Sequence, residues 1–115
     1  MAPERTPVLV AGIGGASLGS EVLKALRHAG AYEVHGCDVS PLAFGHYTTG
    51  LAGTFVPDRA AYAQSILGAC VNRGIRAVVP GGEEPAVLLS RDAERFRAVG
   101  VAVAGNAPHV VATCA

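Results

Sequence analysis

Along this chain short apolar runs alternate with segments whose apolar residues return every three or four positions. Pro7-Val8-Leu9-Val10-Ala11 is a continuous apolar run that stops at Gly12, which predicts a strand buried on both faces. Leu18, Val22, Leu23, Leu26 and Ala29 then recur at helical spacing. Glu21, Lys24, Arg27 and His28 supply the opposite, polar face, and Gly30 is the stop. Residues 32–38 alternate and end in an acid, which predicts a second strand, and Ser40-Pro41 opens a turn or short helix. The weakly periodic stretch 44–53 reads as a loop, and residues 54–57 as a third strand closed by Pro57. Asp58 can cap a helix reaching about Asn72 that turns Ala61, Ile66, Leu67 and Val71 inward. Residues 75–79 make a fourth strand, stopped by Pro80-Gly81-Gly82. One helix is expected from Glu83 to about Val99, then a fifth strand over 101–104, then a last apolar helix from Pro108.

Strands and helices in strict alternation predict an α/β fold, a Rossmann-like open parallel sheet of about five strands with helices on both faces. The 115 residues fit one domain, here 8–115 behind a short tail of 1–7, and exclude a two-domain enzyme that closes over its substrate. With 50% hydrophobic and 16% charged residues, disorder is excluded. Lys+Arg and Asp+Glu cancel at 9 each, so the charge invites neither nucleic acid nor an anionic membrane. No stretch approaches the ~18 apolar residues of a membrane span. The N-terminus also lacks the basic-then-apolar order of a signal peptide. Cys37, Cys70 and Cys114 are widely spaced with no Cys-x-x-Cys pair, which suits buried free thiols in a reducing cytoplasm.

Candidate chemistry gathers in the segments that follow strands. Gly12-Ile13-Gly14-Gly15-Ala16-Ser17-Leu18-Gly19 joins the first strand to the first helix, where glycines let a ligand touch backbone and a helix start can face an anion. The dinucleotide fingerprint Gly-x-Gly-x-x-Gly would need glycine where Ser17 stands, and no Gly-Lys-Ser/Thr makes this a Walker loop. A tight turn without ligand and a ligand-binding loop both stay open. Asp38, at the end of the second strand, can read a ribose, bind an amine or cap the Ser40-Pro41 turn. Pro80-Gly81-Gly82-Glu83-Glu84-Pro85 should open at the same sheet edge as the glycine loop. Its adjacent acids suit the positive end of a helix, and one of the two should project inward. His46 lies in the loop that would border the site, while Arg73 and Arg76 flank a turn and read as solvated. No metal-ligand spacing and no catalytic triad emerge.

Taken in order, four segments resemble the N-terminal, pre-ATP-grasp domain of ATP-grasp enzymes, especially those similar to the large chain of carbamoyl-phosphate synthase. They are Val8-Leu9-Val10-Ala11-Gly12-Ile13-Gly14-Gly15 with Leu18-Gly19, then Gly36-Cys37-Asp38-Val39-Ser40-Pro41-Leu42-Ala43, Val56-Pro57, and Ala77-Val78-Val79-Pro80-Gly81-Gly82-Glu83-Glu84. The resemblance spans residues 8–113. It implies a multidomain ligase in which ATP phosphorylates a carboxylate and an amine attacks the acyl phosphate. The N-terminal domain would help bind the non-ATP substrate, a small carboxylate or amine, through Gly12, Gly14, Gly15, Asp38 and Glu83, with Glu84 less directly placed. No cofactor is expected in this chain itself; ATP and Mg²⁺ would be held by the ATP-grasp domains that this chain lacks.

On this reading the chain is a fragment of a larger ligase and inactive alone. Two other readings stand beside it. One is a free-standing nucleotide- or dinucleotide-binding module using the Gly12–Gly19 loop. The other is a scaffold that forms a homodimer through the apolar residues 108–115.

Overall fold

The computed structural model describes residues 5–14, 18–43, 46 and 50–104. Gly15, Ser17, Cys114 and the helix expected from Pro108, with the dimer face assigned to it, lie outside the described residues.

Strands β1 (Thr6–Ala11), β2 (Tyr32–Cys37), β3 (Gly53–Phe55), β4 (Ala77–Pro80) and β5 (Ala102–Val103) form one sheet in the order β3-β2-β1-β4-β5. Every pairing is parallel: Val8 lies opposite Val34 on one side and Ala77 on the other. This is the α/β open sheet that the alternation predicted. The chain builds outward from β1 through β2 to β3, then returns to lay β4 on the free side of β1.

β1 is central, and its alternating side chains serve two cores. Leu9 and Ala11 pack with Ile66, Cys70, Leu89 and Phe96 on one face, where α2 (Tyr62–Arg73), α3 (Glu83–Ser90) and α4 (Ala93–Ala98) lie. Val8 and Val10 pack with Ile13, Leu23 and Val34 on the other, beneath α1 (Leu18–Ala29). A strand covered on both faces needs apolar side chains at every position, hence its unbroken run. Each large aliphatic side chain buried here stabilises the fold by roughly 1.5–3 kcal/mol. Gly30 and Gly74, at φ +72° and +68°, take the left-handed conformation that ends α1 and α2.

Several expectations are corrected. Asp58 caps not an α-helix but a 3-10 turn, Arg59–Ala61, through its carboxylate and the Ala60 N–H at 2.9 Å; α2 begins only at Tyr62. The buried face of α2 is Tyr62, Ile66 and Cys70, so Ala61 and Val71 point outward, Val71 being 60% exposed. The helix expected over 83–99 is two, because the Asp92 N–H turns back to the Leu89 carbonyl at 3.1 Å and restarts the chain as α4. Pro80 belongs to β4 instead of stopping it. Arg73, expected in solvent, stacks over the Phe55 ring at 4.8 Å and donates to His35 Nδ1 at 3.3 Å. His35 is buried on β2, and its Nε2 faces Glu33 at 3.0 Å, an arrangement that the Nε2–H tautomer satisfies at both nitrogens. Among the described residues no helix is long and apolar enough to cross a membrane.

Candidate functional site

The carboxyl ends of β1, β2 and β4 meet where the strand order reverses, the place where open parallel sheets leave a crevice. Gly12 leaves β1 at φ +102°, a conformation that favours glycine, and its N–H donates to the Cys37 carbonyl at 2.8 Å. Ile13 is fully buried and packs over Gly36, where a Cβ would stand 3.0 Å from Ile13 Cδ1. Its backbone N–H donates to Asp38 Oδ2 at 3.0 Å, while Oδ1 accepts the Ser40 N–H at 2.9 Å. Asp38 therefore both caps its own turn and holds the glycine loop. Each oxygen keeps a lone pair free for a further donor.

The exit from β4 is tied to that loop at close range. The Gly81 N–H donates to the Ala11 carbonyl at 2.6 Å, and the Gly81 carbonyl accepts from Gly19 at 3.0 Å. A Cβ on Gly81 would collide with the Gly12 carbonyl and stand 2.7 Å from Gly19 Cα, so only glycine fits. Gly82 then starts α3 without a side-chain cap, which leaves Glu83 and Glu84 in the first turn to complement the helix dipole.

Between these exits lies a cavity of about 420 Å³, within the roughly 300–1,000 Å³ range of small-molecule sites. Gly12, Gly14, Gly82 and Asp38 line it, and Val39, Pro85 and Leu88 give it apolar surface. Of the adjacent acids, Glu84 lines the cavity and Glu83 does not, although Glu83 was the one the resemblance weighted. His46 does not line it either; its Nε2 donates to the Ser40 carbonyl at 3.0 Å.

Two lining residues were not anticipated from the sequence. Arg59, on the 3-10 turn, presents a guanidinium with no acidic partner among the described residues. Tyr62, at the start of α2, is only 9% exposed, yet its hydroxyl has no hydrogen-bond partner among the described residues. Burial, then the neighbouring Cys37, Asp38 and Glu84, push the Tyr62 phenol above its ordinary value, so it remains an O–H donor across the neutral range. The sequence signal was an arginine and a tyrosine three residues apart just after a capping aspartate.

Cys37 and Cys70 are buried free thiols. Burial first of all pushes Cys37 and Cys70 up to about 12, with Asp38 and Cys70 adding to the effect on Cys37, so both are thiols at neutral pH. No group of three or more His, Cys, Asp or Glu that could hold a metal ion occurs among the described residues. Comparison with protein-family models and with curated proteins finds no match to this chain.

Proposed function

We propose that this is the substrate-side domain of an ATP-dependent carboxylate–amine ligase of the ATP-grasp kind, and that its cavity takes the small non-ATP substrate. The observation that carries the reading is convergence: Gly12 and Gly14 of the glycine loop, Asp38, and Gly81, Gly82 and Glu84 after β4, all within segments that bear the family resemblance, line one cavity at the strand-order reversal. Two carboxylates and one guanidinium line it, so it suits an amine or an amine-bearing acid better than a triphosphate. ATP and Mg²⁺ do not fit these residues and are assigned to the ATP-grasp domains of such a ligase. Two buried free thiols favour a reducing compartment, and we place the protein in the cytoplasm.

A second reading, a dinucleotide-binding module, draws on Asp38, which stands where a ribose-reading acid belongs. Glu84, which lines the same cavity, opposes a pyrophosphate there. Titration of the isotope-labelled chain, followed through the Gly12, Gly14, Asp38 and Gly82 amides, separates the two. Small amines, carboxylates or amino acids should move these amides, while NAD(H) and Mg²⁺·ATP leave them in place. Binding of NAD(H) at these amides would overturn the ligase reading.

A further inference from the structure

Arg59 and Tyr62 stand three residues apart across the junction of the 3-10 turn and α2, a spacing that puts both on one face of the chain, and both line the cavity. They offer donors: a guanidinium fork and a phenolic O–H, neither paired with a described residue. The other charged groups of the cavity, Asp38 from the end of β2 and Glu84 from α3, offer only acceptors.

We propose that Arg59 and Tyr62 form a carboxylate subsite and that, with Asp38 and Glu84, they make the cavity selective for a zwitterion of the α-amino acid type. The inference rests on the reading that this cavity takes an amine- or carboxylate-bearing substrate. An ammonium group needs acceptors, which Asp38 and Glu84 supply; Asp38 can take them because each of its oxygens uses only one lone pair on the backbone. A carboxylate needs donors, and Tyr62 supplies one from a side chain nine-tenths buried, where a charge-assisted hydrogen bond is strongest. Net charge selects in the same direction. Two carboxylates against one guanidinium repel a phosphate dianion, whereas a zwitterion adds no charge.

The test titrates the labelled chain with the proteinogenic amino acids, then with the decarboxylated amine and the deaminated acid of the best binder. Wild type, Arg59→Gln and Tyr62→Phe are compared. Because the Tyr62 hydroxyl bonds no described residue, Tyr62→Phe should keep its fold and serves even where Arg59→Gln does not. Removing either charged group of the ligand should weaken binding at least about tenfold. Both variants should lose the preference for the carboxylate while binding the amine as wild type does. If the amine binds as tightly as its parent amino acid, or the variants keep the preference, the carboxylate subsite is wrong and the reading of the cavity stands. The deaminated acid binding as tightly as the amino acid sinks the zwitterion alone. If no amino acid, amine or acid moves the cavity amides, both fall.

Discussion

The carboxylate of Asp38 accepts the Ile13 N–H at 3.0 Å, so an acid at the end of β2 holds the loop that leaves the neighbouring strand β1. The same group takes the Ser40 N–H at 2.9 Å, which makes it the clasp of the cavity wall before any ligand arrives. Asp38→Ala would leave both N–H groups without their acceptor and should destabilise the domain by about 2–4 kcal/mol. Asp38→Asn keeps one carbonyl acceptor and should cost about 1–2 kcal/mol. Urea unfolding measures both, and an alanine variant as stable as wild type would show that the clasp contributes nothing.

Gly81 and Gly68 make an opposed pair. A Cβ at Gly81 meets backbone twice, at the Gly12 carbonyl and at Gly19 Cα in the first turn of α1, and neither can move without shifting the loop or the helix start. Gly81→Ala should lose about 3 kcal/mol or more, or fail to fold. A Cβ at Gly68, inside α2, meets nothing within 4 Å, so Gly68→Ala should gain roughly 0.5–1 kcal/mol from helix propensity. Thermal melts of the two variants should move in opposite directions. A tolerated Gly81→Ala would mean the two loops do not touch.

What the sequence disclosed follows from how local each cause is. β1 was legible because burial on both faces demands a run of apolar residues, and α1 because one buried face demands a period. The break between α3 and α4 was not: Leu89 and Phe96, seven residues apart, would share a face of one straight helix as readily as they share the core across the turn. Asp38 and the glycine loop stood out as residues at strand ends. Arg59 and Tyr62 did not, because they occupy ordinary positions at a helix start and become site residues only when the exits of β1, β2 and β4 are brought beside them. Gly81 read as a turn former, while its main constraint is a contact with residues more than sixty positions earlier in the chain.

Stability should fall steeply in alkali. Cys37 and Cys70 are raised from an ordinary 9.0 to about 12 in the fold, chiefly by burial. Between those values the unfolded chain releases thiol protons that the folded chain keeps. The contribution is fully present below pH 9 and lost as the pH rises, by about 1.4 kcal/mol per pH unit for each thiol. Tyr62 adds to the loss above its ordinary 10.0. Unfolding free energies at pH 8, 9, 10 and 10.5 check this, and Cys70→Ala should remove one thiol's share of the slope. A flat profile to pH 10.5 would mean the thiols are not buried as described.

Glu83 and Glu84 separate charge at a helix end from charge in a cavity. Both lie in the first turn of α3 and both are exposed, so Glu83→Gln and Glu84→Gln should each cost a similar ~0.3–1 kcal/mol through the helix dipole. Only Glu84 lines the cavity, so only its substitution should weaken an amine held there, by about fivefold or more, with Glu83→Gln binding as wild type. Raising the ionic strength should erase most of the shared stability effect, because exposed charges are screened within about 8–10 Å. The difference in binding should survive in salt to the extent that the ligand is enclosed. Equal loss of binding in the two variants would mean that the helix terminus as a whole, and not the Glu84 carboxylate, acts on the ligand.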